Sequence, residues 1–401
     1  MNDFNFADEE LNLLIEKKLK RELKTILTAP GPWVELSNGK RVLQFASNNY
    51  LGLANHPEII NAAKAAMSKY GTGSTGSRLL SGTTELHATL EKEIALFEGS
   101  ESAIFFSSGY LANTGTISAL TGKEDGIYSD ELNHASILDG MKLSGAQRFI
   151  YHHLDINHLE DLIQKNKGRF RRNFIITDTV FSMDGDLAPL QEIGLIAEKY
   201  NCIPIVDEAH ATGIFGKSGA GLVEELDLKD IFQIKIGTCS KALGVEGGFC
   251  SGPNKIIQLL QNKARSFMFS TSSSPAVVGA ILKSFDLVKD SNWRKEKLWQ
   301  IAHFLHSGLK KNYKLKLNEF YSPIIIIYFN TIEEAEHISE RLFNECHIWA
   351  PLIRPPTVKQ PRIRITPTAT HSEEDMRFVI RAFEHLSKDI KVEPLGAHGN
   401  T

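Results

Sequence analysis

From about residue 45 the chain repeats one rhythm, a short apolar run followed by a stretch with helical spacing. The runs are "AIFF" (103–106), "FIIT" (174–177), "IPIV" (203–206), "IFQIKIG" (231–237) and "GFCSG" (248–252). Helical patterns such as "LAPLQEIGLIAEKY" and "NKIIQLLQNKA" fill most gaps between them. Strands separated by helices predict an α/β fold with a mostly parallel sheet buried on both faces. After about residue 280 the rhythm changes. A long helical pattern, "PAVVGAILKSFDLVKD", leads to "SPIIIIYF", a second helix and "PRIRIT". This predicts a smaller α+β domain. The 401 residues, 42% of them apolar, exceed what one compact core holds, so more than one packed unit is expected.

The expected division is an N-terminal helix and extension over 1–45, a large domain over 46–285, a small domain over 286–388 and a disordered tail over 389–401. Near the amino end, Leu11, Leu14, Ile15, Leu19 and Leu23 are spaced for an amphipathic helix. Such a helix would dock on the body or on a partner subunit. The charges nearly cancel, 45 basic against 48 acidic for a net −3, so no global field argues for nucleic acid. No apolar run approaches the roughly 20 residues of a spanning helix, and no membrane association is expected. Four scattered cysteines suit neither a disulfide framework nor a zinc site, which fits a reducing, cytoplasmic setting.

Several motifs carry chemistry. "GTCSKALGVEGG" (237–248) sets Lys241 among small residues directly after a strand, where a bound group could approach it closely. "DEAH" (207–210) follows the strand "IPIV", so Asp207 falls at a strand's carboxyl end, where ligands of α/β sheets bind. Alone, Asp207 would equally suit a turn cap. The neighbouring "ATGIFGKS" resembles a phosphate loop, but its first position is Ala211 rather than glycine and it follows the acidic motif instead of preceding it. A nucleotide triphosphatase is therefore disfavoured. "FFSSGYLANTGTISAL" reads as strand, turn and helix, with Ser107 or Ser108 as cap and the first-turn amides near Gly109 open to a phosphate. "DELNHASILDG" carries His134 in a polar turn. "GTGSTGSRLLSG" is a glycine-rich loop, either a free surface loop or one lying at a ligand or subunit boundary. "IRPPTVKQPRIRIT" places Arg364 in a strand pattern with Ile363 and Ile365 facing the other way, as bidentate capture of a carboxylate requires. Without context a rim salt bridge is as good a reading. The histidines of "YHHLDINHL" (His152, His153 and His158) lack a companion cluster of carboxylates or cysteines, read as surface residues, and define no metal site.

A reactive lysine, an upstream aspartate, a histidine, a helix-start phosphate site and a carboxylate-binding arginine are used together in pyridoxal 5′-phosphate (PLP) chemistry. The lysine must be partly neutral to react, so burial and nearby positive charge are expected to lower its pKa. The chain also resembles the α-oxoamine synthases, a fold-type I PLP family, from about Trp33 to about Leu386. The resemblance is carried by "SNNYLGLANHP", "GTGSTGSRLLSGTTELHATLE", "SSGYLANTG", "DELNHASILDG", "VFSMDGDLAPL", "DEAHATGIFGKSGAG", "GTCSKALGVEGG", "FSTSSSP" and "RPPTV" followed by "RIRITPTATH".

The resemblance implies Lys241 as the Schiff-base lysine and Asp207 as partner of the ring nitrogen. It implies His210 at the phenolic oxygen, His134 stacked on the ring, and Ser182 against the cofactor. Gly109 and Tyr110, through their backbone, and Thr238 and Ser240 would hold the phosphate. Ser270 and Thr271 of a neighbouring subunit would complete that site, which implies a homodimer. Arg364 would grip the amino-acid carboxylate, and Arg21 and Thr357 would meet the acyl substrate. The small residues around Lys241 would leave room for the cofactor, and Cys239 would be packing filler. Two positions depart from the family pattern. Asn49 stands where aspartate is expected, and Asp178 stands where glutamate is expected. The implied reaction is decarboxylative condensation of L-alanine with a pimeloyl thioester of coenzyme A or an acyl carrier protein. Glycine with an acetyl thioester and serine with a palmitoyl thioester are the family alternatives, and a PLP lyase is an alternative outside it.

Overall fold

The computed structural model describes residues 4–17, 19–290 and 292–389. The tail expected to be disordered lies outside the described residues beyond 389. The chain first forms a helix over Asn5–Glu16, then an antiparallel pair, β1 (Trp33–Glu35) and β2 (Arg41–Gln44). The helix stops seven positions before Leu23, and none of its residues is buried. Its apolar stripe therefore does not dock on the body of this chain.

Seven strands build the central sheet: β3 (Ser102–Phe106), β4 (Gly126–Asp130), β5 (Gln147–Tyr151), β6 (Asn173–Asp178), β7 (Ile203–Asp207), β8 (Ile234–Thr238) and β9 (Gly248–Gly252). Their order is β3-β9-β8-β7-β6-β4-β5. Strands β4 to β8 run parallel to one another. Strand β9 runs antiparallel to both of its own. The reason is the connection: only Cys239–Gly247 separate β8 from β9, too short for the crossover a parallel pair needs. Strand β8 also begins later than its apolar run suggests, because Ile231 belongs to the preceding turn and Phe232 packs into the core before the strand starts.

Alternate residues along β6 go to opposite faces. Phe174 and Ile176 join one core cluster and Ile175 joins another. Helices Gly109–Leu120, Ala135–Ser144 and Asn254–Lys263 pack on the first face. A sheet covered on both sides explains why its central strands are continuous apolar runs.

The C-terminal part adds β10 (Lys316–Leu317), β11 (Ile325–Tyr328), β12 (Ile348–Trp349), β13 (Leu352–Ile353) and β14 (Arg362–Ile365). Four of these form an antiparallel sheet in the order β10-β11-β14-β13. Ile325, Ile327, Ile363 and Ile365 point into a second core with Val379 and Phe383 of the helix Glu373–Leu386. Strand β12 instead pairs with β2, and Leu43 and Phe45 enter this second core.

Candidate active site

Strands β4, β6, β7 and β8 end at one edge of the sheet, and their last residues are Asp130, Asp178, Asp207 and Thr238. A cleft of about 250 Å³ opens there, lined by Gly109, Tyr110, Asn113, His134, Asp178, Ser182, Asp207, His210, Thr238, Ser240 and Lys241. Ten residues that the motifs single out thus come together from five separate stretches of sequence.

Lys241 stands on the β8–β9 hairpin, pointing across the strand ends. Burial pushes its amine down to about 8, with the Arg364 charge adding to the effect and Asp207 and Asp178 opposing it. The glycines around it are required by the protein's own packing. Gly244 has φ +70°, and a Cβ there would lie 2.5 Å from Ala54 N. A Cβ on Gly248 would lie 2.5 Å from Gly109 N. Cys239 is fully buried among Leu243, Phe249 and Phe285, as filler should be.

Asp207 is nearly fully buried, and its carboxylate is fixed from two sides. Asn113 Nδ2 donates to Oδ2 at 2.6 Å and Ala209 N donates to Oδ1 at 2.8 Å. His210 is buried beside it, with Nδ1 2.8 Å from the Tyr50 hydroxyl. Burial, then the charges of Lys241 and Arg364, hold His210 well below the usual histidine range, so its ring is neutral. His134 caps the helix Ala135–Ser144, its Nδ1 accepting from Ser136 N at 3.3 Å and lying 2.7 Å from Ser136 Oγ. Loss of water around its inner edge lowers its basicity against the pull of Asp207.

At the other end of the cleft the helix Gly109–Leu120 begins. Ser108 Oγ accepts from Leu111 N at 3.1 Å, which leaves the first amides aimed outward. A Cβ on Gly109 would lie 3.1 Å from Thr238 Cβ and Oγ1, so the Thr238 side chain sits against these amides. Thr238 Oγ1 and Ser240 Oγ are 2.8 Å apart. Amides and hydroxyls at one end, a fixed buried carboxylate at the other and a partly neutral amine across the middle make a donor set that fits PLP.

Arg364 enters from β14. Its Nε donates to Ser182 O at 2.6 Å and its Nη2 to Asn48 Oδ1 at 3.1 Å. It is buried, and no carboxylate among the described residues pairs with it. Arg362, two positions earlier on the same strand face, pairs with Asp184 and donates to Met183 O at 2.9 Å. The two arginines thus grip the loop between β6 and the next helix. Arg21 Nη2 donates to Thr357 Oγ1 at 3.1 Å, and both line a separate groove of about 1000 Å³ with Met183, Phe343 and Arg354. Ser270 and Thr271 do not line the Lys241 cleft of their own chain. They border a small pocket with Arg78 and Ser266, and Thr271 bridges to Ser77 of the glycine-rich loop.

Three contributors escape the motif reading. Asn113 lies one helical turn after Gly109, and that spacing is the one signal that could have found it. Tyr50 belongs to "NNYLGL" but reads as core. The third is His153, expected at the surface without carboxylate companions. Its ring in fact lies between Asp130 and Asp186, at 2.9 and 3.0 Å. Sequence separation hid the cluster, since Asp130 and Asp186 are 23 and 33 residues away. Of the two departures, Asn49 closes a turn by accepting from Ala54 N at 3.2 Å. Asp178 lies in the cleft, where Oδ2 accepts from His134 N at 2.7 Å. Burial first, then the neighbouring Asp207, push its carboxyl well above the usual range. The loop resembling a phosphate site is already filled with carboxylates. Gly216 N donates to Glu225 and Ser218 N to Glu224, at 2.7 and 3.2 Å, which speaks against a nucleotide there.

A family model for aminotransferase class I and II matches residues 40–383. An 8-amino-7-oxononanoate synthase of Thermosipho melanesiensis is 41% identical over 98% of this chain and 100% of its own length. An 8-amino-7-oxononanoate synthase 1 of Bacillus velezensis is 39% identical over the same shares. Among solved structures, a serine palmitoyltransferase variant from S. paucimobilis with a bound PLP–myriocin aldimine superposes with a TM-score of 0.90. It is 28% identical, and the match covers 96% of this chain and 98% of that one. The chain belongs to the aminotransferase class I and II family, within its α-oxoamine synthase branch and alongside the 8-amino-7-oxononanoate synthases.

Proposed function

We propose that this enzyme is a PLP-dependent acyltransferase of biotin biosynthesis. It condenses L-alanine with a pimeloyl thioester to give 8-amino-7-oxononanoate, carbon dioxide and free thiol. The observation that carries this reading is that Lys241 and Asp207 line one cleft, while Arg364, paired with no carboxylate among the described residues, holds the carbonyl of the cleft residue Ser182 and acts on Lys241 through its charge. The names of full-length relatives give the product, 8-amino-7-oxononanoate.

Lys241 would hold the cofactor's aldehyde carbon, Asp207 its ring nitrogen and His210 its phenolic oxygen. His134 and Ser182 would bound the ring. Gly109 and Tyr110 amides, with Thr238 and Ser240 hydroxyls, would hold the phosphate. When bound, PLP supplies an electron sink for a carbanion at the amino acid's α-carbon. Arg364 binds the amino-acid carboxylate through its planar fork, which fixes the direction of the α-hydrogen relative to Lys241. Lys241 Nζ, neutral above about pH 8, takes that proton and later returns one. His134 polarises the new ketone as carbon dioxide leaves. Arg21 and Thr357, joined by a hydrogen bond across the large groove, receive the acyl chain. The thioester carrier is coenzyme A or an acyl carrier protein.

The working form is a homodimer in the cytoplasm. Leu79, Leu80 and Phe269 are exposed beside the Ser270–Thr271 segment, as a face covered by a second copy would be. The four cysteines are free thiols, which suits a reducing compartment. No helix among the described residues is long and apolar enough to cross a membrane.

A matrix of alanine, glycine and serine against pimeloyl, acetyl and palmitoyl thioesters tests the reading. Alanine with the pimeloyl thioester is expected to give the highest kcat/KM. Preference for glycine with the acetyl thioester, or serine with the palmitoyl one, would replace it by a family alternative.

A further inference from the structure

His153 is held by more groups than a surface histidine needs. Its Nδ1 lies 2.9 Å from Asp130 Oδ1 and its Nε2 3.0 Å from Asp186 Oδ2. A carboxylate can only accept, so both ring nitrogens donate and the ring is an imidazolium. Burial works against that charge. The two carboxylate hydrogen bonds outweigh it and push the ring up to about 10. Phe181 packs edge-on against the ring at 4.5 Å.

Each carboxylate organises one wall of the cleft. Asp130 ends β4, and its two oxygens accept from Leu132 N at 2.8 Å and Leu154 N at 2.9 Å. This shapes the turn that delivers His134. Asp186 closes the tight loop after β6, where Phe181 N donates to Asp186 O at 3.0 Å and Gly185 N to Phe181 O at 2.8 Å. Inside that loop sit Ser182, whose carbonyl holds Arg364 Nε, and Asp184, which pairs with Arg362. The second oxygen of Asp186, Oδ1, is buried without a hydrogen-bond partner among the described residues, so His153 is the charge that compensates this carboxylate.

We infer that His153 is a positioning residue for amino-acid capture: bridging Asp130 and Asp186, it sets the gap between the His134 turn and the Ser182–Arg364 wall. It touches neither substrate nor cofactor, and it acts through these two loops. The inference rests on the reading of the cleft as an amino-acid site.

The test uses holoenzyme of wild type, His153→Gln, Asp186→Asn and the double variant. A glutamine amide can serve one carboxylate and leaves the other uncompensated. The dissociation constant of L-alanine, read from the visible spectrum of the bound cofactor, is expected to rise about tenfold or more in each single variant. The KM for the acyl thioester should stay within about twofold, and the double variant should be no worse than the worse single one. An unchanged alanine constant in both single variants overturns the inference. So does a parallel rise of both substrate constants with loss of bound cofactor, which marks a merely structural residue. If His153→Gln does not fold, Asp186→Asn opens the same bridge from the other side and carries the test. A wild-type enzyme with no alanine-dependent spectral change would instead fault the proposed function.

Discussion

Lys241 is made reactive by where it stands. Desolvation favours its neutral amine, and the adjacent carboxylates limit the drop to about 8. An ordinary lysine stays protonated to above about 10. Below about 8 the protonated amine dominates and cannot attack an aldehyde, so uptake of PLP by the apoenzyme should slow about tenfold per pH unit below 8 and level off above it. Stopped-flow absorbance across pH 6 to 10 measures this, and a midpoint near 10 would contradict it. Arg364 makes a second residue-level prediction. Arg364→Ala should cut kcat/KM for the amino acid about 100-fold, as loss of a charge-assisted pair does. The thermal midpoint should move little by comparison, and Arg364→Lys should recover only part of the activity. At this scale the sequence was legible where a residue's role depends on its own motif. Lys241, Asp207, His134 and Arg364 each stand in such a motif. His153 and Tyr50 act through partners far away in sequence, and no local pattern announces them; Asn113 is signalled only by its helical spacing from Gly109.

The elements that matter most are those that bring backbone to the cleft. The β8–β9 hairpin presents Lys241, and the start of β9 passes directly behind the helix beginning at Gly109. A Cβ at Gly248 would meet backbone atoms of Ser108 and Gly109 at 2.5 Å, so Gly248→Ala must displace the amides proposed for the phosphate. It should weaken PLP affinity about tenfold or more while the protein stays folded, as a misplacement near 1 Å would. Fluorescence titration with PLP, with circular dichroism as the folding check, reads it. Central strands such as "FIIT" and "IPIV" were visible as apolar runs because the sheet buries both their faces. Strand β5, "QRFIY", was not seen because it is an edge strand with exposed positions. Strand β4, "GIYSD", escaped because its polar end serves the site: Asp130 is buried under His153. The N-terminal pattern was over-read. Its spacing runs on to Leu23, but the helix ends at Glu16 with no apolar surface of this chain to pack against.

At the scale of the whole molecule, a sheet edge built by residues 102–252 meets a wall supplied by β14, and Arg362 and Arg364 join them through one loop. What remains outside this single-chain site is the Ser270–Thr271 segment. If a second copy brings that segment to the cleft, mixing Lys241→Ala chains with Ser270→Ala/Thr271→Ala chains should restore one intact site in each mixed dimer. Activity should then recover to about a quarter of wild type in a statistical mixture. No recovery would assign the segment to its own chain. The overall architecture could be anticipated from the alternation of strands and helices, but the acyl chain length could not, since it depends on the shape of a pocket that no local sequence pattern records. The most direct test of the central claim is the ratio of labelled carbon dioxide from carboxyl-labelled L-alanine to free thiol from the pimeloyl thioester. The account predicts equal amounts with the wild-type enzyme and neither with Lys241→Ala. Thiol release without carbon dioxide, or both products persisting without Lys241, would contradict it.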